Sequence, residues 1–426
     1  MLQTERFTLS SGLPVYVLTQ PHLHALRLDF FLRDGSRWES PSTSGLAHFA
    51  EHLLFTGNAL IPSKREIALA LADVGGAANG ETSAEVTSYY LMTRPSHLAR
   101  ALELFGAMVC RPRFDSVELE AEKRIVLAEI GEELRKGSVE ELLWPDHPLS
   151  YYVSGRPDNV RHFTRDLVVD HYRSFYVPDN AVLTVTGPVF AGDVRPLVES
   201  SFSALGGTFT AQALPATDVS MAAQPARFST VADMPSFSLS LGFRLNRPGL
   251  RQQAVLSLLN TILGASDTSR LFLGVREERG LVYTVDSMLT LWTDVGSLEV
   301  ELNASRRRLR PALTAVLQEI GRLIAEEVPA RELARAKEWQ VASLEGLLDE
   351  PGSLARRIAL EELFHDMPSL PEAIRLTETV TAGEVRAAAE AVLRPDQGRL
   401  FVQGPALDAG ERADIRAILR QYARGT

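Results

Sequence analysis

Pro178-Asp179-Asn180, followed by Val185-Thr186-Gly187-Pro188, returns later as Pro395-Asp396-Gln397 followed by Val402-Gln403-Gly404-Pro405. In both places a turn-forming triplet feeds an apolar, β-branched run that Gly-Pro stops, the pattern of a strand closing a unit. The elements leading to the first copy also recur before the second. Arg6 to Leu9 and Val15 to Leu18 read as strands joined through Ser10-Ser11-Gly12, and Leu26 to Leu32 as a third. A helix follows from Ser63 to Asp73 and stops at Gly75-Gly76; Asn79 to Leu91, polar and then β-branched and aromatic, reads as a strand. Helices over His97 to Val109, Asp115 to Lys136 and Asp166 to Phe175 lead into the closing strand, Ala181 to Val185.

In the second part, Ser236 to Leu245 repeats the third strand and Arg251 to Leu263 the helix after it. Thr268 to Val285 with Gly296 to Leu302 repeats the helix and strands beyond, and Arg307 to Glu326 with Ala330 to Leu348 the helix pair. This is a tandem duplication of an α+β unit of about 200 residues, an ordinary domain size. The expectation is one domain over 1–209 and a homologous one over 226–426, each a mostly antiparallel sheet packed by helices. Residues 210–225, inside the Gly-, Ala-, Thr- and Pro-rich stretch Gly206 to Pro225, form the linker.

Composition agrees and narrows the function. With 426 residues the chain is too long for one core, and 45% apolar with 23% charged residues describes an ordinary globular protein. A net charge of −10 with no basic run argues against nucleic-acid binding and is compatible with basic peptides. Cys110 is the only cysteine, which excludes an intrachain disulfide and a cysteine-ligated zinc finger. Met1-Leu2-Gln3-Thr4-Glu5-Arg6-Phe7 has no basic segment ahead of an apolar core, and no run reaches membrane-spanning length, so a cytoplasmic protein without membrane contact is expected.

The chemistry concentrates in Ser44-Gly45-Leu46-Ala47-His48-Phe49-Ala50-Glu51-His52-Leu53-Leu54-Phe55. It reads as a short buried helix that Ser44 can cap. On a helix His48 and His52 project from one face one turn apart, within reach of a single ion, with Glu51 about 60° to the other side of His48. Two neutral imidazoles suit zinc, and a neighbouring carboxylate is what a metal hydrolase needs to deprotonate the attacking water. His-x-x-Glu-His is the inverzincin order, reversed from the commoner zinc-peptidase signature. The corresponding stretch of the second copy, Arg251 to Leu263, contains no His, so one zinc site per chain is expected.

A zinc hydrolase needs a third protein ligand. The helix over Asp115 to Lys136 offers Glu118, Glu120, Glu122, Glu129, Glu132 and Glu133. Glu122 and Glu129, seven apart, share a face, with Ile125 and Val126 between them to bury it; Glu118 and Glu133 fall near the same face, so periodicity does not choose.

Gly35-Ser36-Arg37-Trp38-Glu39, then Gly45 through Gly57 with its His-x-x-Glu-His, resembles the pitrilysin-type zinc peptidases of family M16. The family includes insulin-degrading enzyme and the mitochondrial processing peptidase. The likeness runs from the first hairpin to Gly404-Pro405, and the length is that of the short subfamily of processing-peptidase subunits and bacterial relatives. It implies a clam-shell half with a closed chamber, His48, His52 and Glu129 as zinc ligands, Glu51 as general base, and Glu122 in an outer shell orienting a ligand. Arg276-Glu277-Glu278-Arg279-Gly280-Leu281-Val282-Tyr283 resembles the segment whose Arg and Tyr, seven apart, reach the zinc site and donate to the substrate backbone and the oxyanion; the matching residues are Arg276 and Tyr283.

Family members carry Asn-Ala where this chain has Asn79-Gly80, followed by the matching Thr82. That strand pairs with an extended substrate in the family, so Asn79, Gly80 and Thr82 are implied substrate contacts, on a strand that Gly80 loosens. The resemblance therefore implies a zinc endopeptidase acting on unfolded peptides or extended tails. Because one chain carries both the metal motif and the Arg and Tyr, a homodimer is expected rather than an assembly with a different subunit. Two alternatives share the fold: a dedicated maturation protease for one precursor peptide, and a noncatalytic structural or partner subunit, which typically loses the metal ligands.

Overall fold

A computed structural model describes residues 3–133, 137–210, 213–365, 367–394 and 396–424. Pro395, residues 211–212 of the expected linker, residues 134–136 at the end of the Asp115 to Lys136 helix, and the side chains of Glu132 and Glu133 lie outside the described residues. The fold is α+β, as expected, with two compact units.

The first unit is built on β1 (Gln3–Thr8), β2 (Pro14–Thr19), β3 (Leu26–Leu32), β4 (Ala77–Thr82), β5 (Thr87–Thr93) and β6 (Ala181–Gly187), in the order β1-β2-β6-β3-β5-β4. Only β2 and β6 pair in parallel; the other neighbours are antiparallel. Alternation sets the two faces. Leu26, Leu28, Phe30 and Leu32 of β3 enter the main core, while Phe31 points to the opposite side. That core also takes Phe49 and Leu53 of α1 (Leu46–Leu53), Ile67 of α2 (Lys64–Asp73), Phe105 of α3 (Leu98–Cys110), and Val126 and Ile130 of α4 (Ser116–Glu133). Each fully buried large apolar side chain contributes about 1.5–3 kcal/mol.

The second unit repeats the pairing. Its strands β7 (Ala226–Thr230), β8 (Phe237–Asn246), β9 (Val285–Leu291), β10 (Val295–Ala304) and β11 (Arg399–Gly404) run in the order β7-β11-β8-β10-β9. β7 with β11 is the one parallel pair, and the rest are antiparallel. Matching β11 to β6, β8 to β3, β10 to β5 and β9 to β4 reproduces the first sheet from β2 to β4, as a duplication requires.

The copies at 1–209 and 226–426 are spans of sequence; the compact units trade two segments across them. One unit comprises Met1–Leu134, Tyr151–Pro215 and Leu347–His365, the other Arg135–Ser150, Ala216–Gly346 and Asp366–Thr426. The reason is burial. β6 is buried at all seven positions and needs cover on both faces. Leu354, Ala355, Ala359 and Leu363 of the helix Pro351–Phe364 supply it, packing on Leu18, Phe31, Val86 and Val182. Likewise Leu142 and Leu143 of α5 (Glu140–Leu143), with Trp144, pack on Val295 and Phe401 in the second unit.

Two expectations for elements change. Asn79 to Leu91 is a hairpin, β4 and β5, rather than one strand: Ser83 N donates to Val86 O at 2.8 Å, and Arg37 Nη1 draws Glu85 out of line at 2.6 Å. Thr268 to Val285 contains a π-helical stretch, Phe272–Glu277, and its strand begins only at Val285.

Glu299 on β10 is buried and accepts from Ser297 Oγ at 2.6 Å. Burial, with Glu140 nearby, pushes its carboxyl up to about 8. Between the ordinary carboxylate range and pH 8 the unfolded chain has lost a proton that the folded chain keeps, so this group makes stability fall as pH rises. Glu299→Gln is expected to raise the urea midpoint, with a gain growing by about 3 kcal/mol from pH 5 to pH 8.

Candidate metal centre

The helix α1 begins where two backbones touch. Gly45, its N-cap, has φ 97°, and a Cβ there would lie 2.7 Å from Gly155 Cα; only glycine fits both the left-handed backbone and the crossing. Ser44 does not cap the helix as expected. Glu39 does so from the preceding loop: Gly45 N donates to its Oε2 at 2.8 Å and Ala47 N to its Oε1 at 2.9 Å. Burial pushes the Glu39 carboxyl up to about 7 despite those two bonds. A carboxylate at this end also suits the helix dipole.

Anchored there, α1 buries Phe49, Ala50 and Leu53 and turns His48 and His52 toward a cavity, ring centroids 4.6 Å apart. α4 delivers Glu129 to the same point. Glu129 Oε2 lies 3.5 Å from His52 Nε2 and 3.9 Å from His48 Nε2, and one ligand atom from each residue falls within 4.8 Å of the others. Among the described residues this is the one such group of three. Val126 packs the α4 core face as expected, whereas Ile125 is 41% exposed and does not. Of the competing glutamates, Glu120 pairs with Lys123 at 2.8 Å instead of facing the histidines.

The donor set fits zinc: two imidazole nitrogens and one carboxylate oxygen, leaving a coordination position for substrate chemistry. Burial, with the charge of His52 second, lowers His48 to about 4, which keeps the imidazole in its neutral, ligating form. Burial works against the charge of His52 too, but its bond to Glu122 and the Glu129 and Glu51 carboxylates hold it above its ordinary value.

Glu122 is buried, and its Oε2 lies 3.2 Å from His52 Nδ1. Donation from Nδ1 to this carboxylate fixes the tautomer and leaves Nε2 free toward Glu129. The other oxygen takes the ammonium of Lys64, on α2, at 2.5 Å. Burial pulls the Glu122 carboxyl up, yet His52 and Lys64 together hold it below the ordinary range. The sequence marks Lys64 only as half of a Lys-Arg pair at a helix start behind the motif. Lys64→Met is expected to weaken metal binding about 10-fold in chelator competition while leaving the melting temperature unchanged.

Glu51 is buried on the far side of His48, where burial raises its carboxyl above the ordinary range. It leans on β4: Thr82 Oγ1 donates to Glu51 Oε2 at 2.6 Å. Asn79, Gly80, Glu81 and Thr82 line the same cavity of about 680 Å³, with Phe55, Ile67 and Leu71 as an apolar wall. β4 is an edge strand of its sheet, so its outer backbone groups are open to pairing.

Arg276 and Tyr283 belong to the second unit and meet each other there. The Arg276 guanidinium lies 4.6 Å from the Phe272 ring centroid and 5.6 Å from that of Tyr283, which is 81% exposed. The π-helical winding of Phe272–Glu277 brings Phe272 under Arg276.

Comparison with known proteins accords with this geometry. Residues 17–144 match the model described as Insulinase (Peptidase family M16), and residues 162–338 match Peptidase M16 inactive domain. The uncharacterized zinc protease Mb2805c of Mycobacterium bovis is 30% identical over 95% of this chain and 94% of its own. The chain belongs to peptidase family M16. Another relative, the uncharacterized zinc protease YmxG of Bacillus subtilis, is 28% identical over 84% of this chain and 88% of its own. Two crystal structures share the fold. A peptidase M16 inactive domain from Pseudomonas fluorescens has TM-score 0.85 at 20% identity, covering 95% of this chain and 98% of that one. A protease from Helicobacter pylori has TM-score 0.84 at 21% identity, covering 95% and 100%.

Proposed function

We propose that this M16 protein is a zinc-dependent endopeptidase that hydrolyses peptide bonds in unfolded peptides or extended tails. The observation that carries the reading is one cavity holding the His48, His52 and Glu129 ligand set, the Glu51 carboxylate and the backbone of an edge strand. When bound there, zinc supplies the Lewis acidity that makes water nucleophilic at neutral pH. The protein's own residues do the rest. His52 is held in its ligating tautomer by Glu122 and Lys64. Glu51 takes the proton of the attacking water. The backbone of β4 around Asn79 aligns an extended peptide without reading its sequence.

Arg276 and Tyr283 are the proposed donors to the substrate backbone and oxyanion, supported by their pairing and by the exposure of the phenol. Both parts lie in one chain, so no different subunit is required and the proposed assembly is a homodimer. The noncatalytic alternative gains nothing from this site, where every ligand is present.

The deciding experiment incubates the protein with a mixed pool of unstructured peptides and reads fragments by mass spectrometry. Cleavage abolished by a chelator and restored by zinc is the expected result. Intact peptides in the presence of the zinc-loaded protein would refute the reading.

A further inference from the structure

Thr82 and Gly80 stand on one face of β4 and both meet the Glu51 side chain. The Thr82 hydroxyl donates to Oε2 at 2.6 Å, and Thr87, its cross-strand partner, has its Oγ1 3.5 Å behind. At Gly80 a Cβ would lie 2.6 Å from Glu51 Oε1 and 2.8 Å from its Cγ, closer than van der Waals contact allows. Gly80 is in regular strand pairing with Tyr89 and its φ is not positive, so what the missing side chain provides is space alone.

We propose that Thr82 is a positioning residue for Glu51: its hydroxyl anchors one carboxylate oxygen, beside the bare Cα of Gly80, and leaves the other oxygen free. A base held at one oxygen keeps the second free to take a proton, in a side chain that otherwise has three rotatable bonds to lose in aiming. Because β4 is also the open edge strand, the element that aligns an extended peptide is the one that aims the base. Alignment of substrate and placement of the proton acceptor are therefore coupled through six residues of backbone. This inference rests on the endopeptidase reading.

The test compares Thr82→Val and Thr82→Ser as zinc-loaded full-length proteins. Valine keeps the shape of threonine without the hydroxyl, and serine keeps the hydroxyl without the methyl. Thr82→Val should lower kcat about 10- to 100-fold with KM unchanged, since misplacing a general base by about 1 Å costs that much. Thr82→Ser should retain most of the wild-type kcat. Zinc affinity by chelator competition should stay at the wild-type value in both. A crystal structure of the zinc-loaded Thr82→Val protein should show the Glu51 carboxylate turned away from β4. Wild-type kcat in Thr82→Val, a fall in zinc affinity that parallels kcat, or a Glu51 carboxylate unmoved in the crystal would overturn the proposal. If wild type cleaves nothing, the endopeptidase reading fails by itself, and the crystal still decides whether Thr82 places Glu51.

Discussion

Glu51→Gln is expected to retain a full complement of zinc and to lose about 1,000-fold in kcat, roughly 4 kcal/mol of transition-state stabilisation. The substitution changes little else. Glutamine has the shape of glutamate, its amide oxygen can accept the 2.6 Å hydrogen bond from Thr82, and a neutral amide is no harder to bury than the carboxylate it replaces. What it cannot do is take a proton. Zinc-to-protein ratio by elemental analysis and fragments from an unstructured peptide pool separate the two properties. Cleavage by Glu51→Gln at the wild-type rate would place the base elsewhere; parallel loss of zinc would make Glu51 a ligand.

Glu129→Gln should have the opposite signature, with the metal lost first. Glu129 is the sole oxygen in the ligand set, and α4 brings it from far along the chain to within 3.5 Å of His52 Nε2. Removing its charge costs roughly 3 kcal/mol of metal binding, about 100-fold in affinity. Dialysis against a weak chelator should strip this variant at concentrations that leave wild type loaded, and added zinc should restore cleavage in part. Full zinc occupancy would move the third ligand to another carboxylate, Glu122, 3.2 Å from His52 Nδ1, being the one already in contact with a histidine. The contrast with Lys64→Met is quantitative: Lys64 reaches the metal site only through Glu122 and His52, so its removal should cost tenfold less than that of Glu129.

The legible part of this site is the part written within one helical turn. His48, Glu51 and His52 are four residues apart at most, so rotation per residue alone places them, and the structure turns both imidazoles into the cavity. Glu129 was one of several glutamates on a helix whose apolar pattern did not distinguish them. Ile125 shows why: a seven-residue spacing marks a stripe but not which side of it the neighbouring helix covers, and α4 turns Ile125 outward. Glu39 was invisible as a cap because its partners are the amides of residues 45 and 47, reached only after a loop folds back. Lys64 pins Glu122 across 58 residues, which no periodicity encodes.

By itself the sequence determined the α+β class, the duplication, the helix carrying His48, Glu51 and His52 and the lack of those histidines in the second copy. These follow from patterns that repeat over two to four residues or from segments that match each other, and local backbone geometry converts both directly into structure. Only the tertiary structure decided that Glu39 rather than Ser44 caps α1, that Lys64 and Glu122 orient His52, and that Gly80 and Thr82 abut Glu51. It also decided that the helix Pro351–Phe364 covers the first sheet while α5 packs in the second unit. Each of these joins residues far apart in the chain, and what selects the partner is the need to cover buried sheet faces and satisfy buried polar groups, a condition on the whole fold rather than on any stretch of sequence.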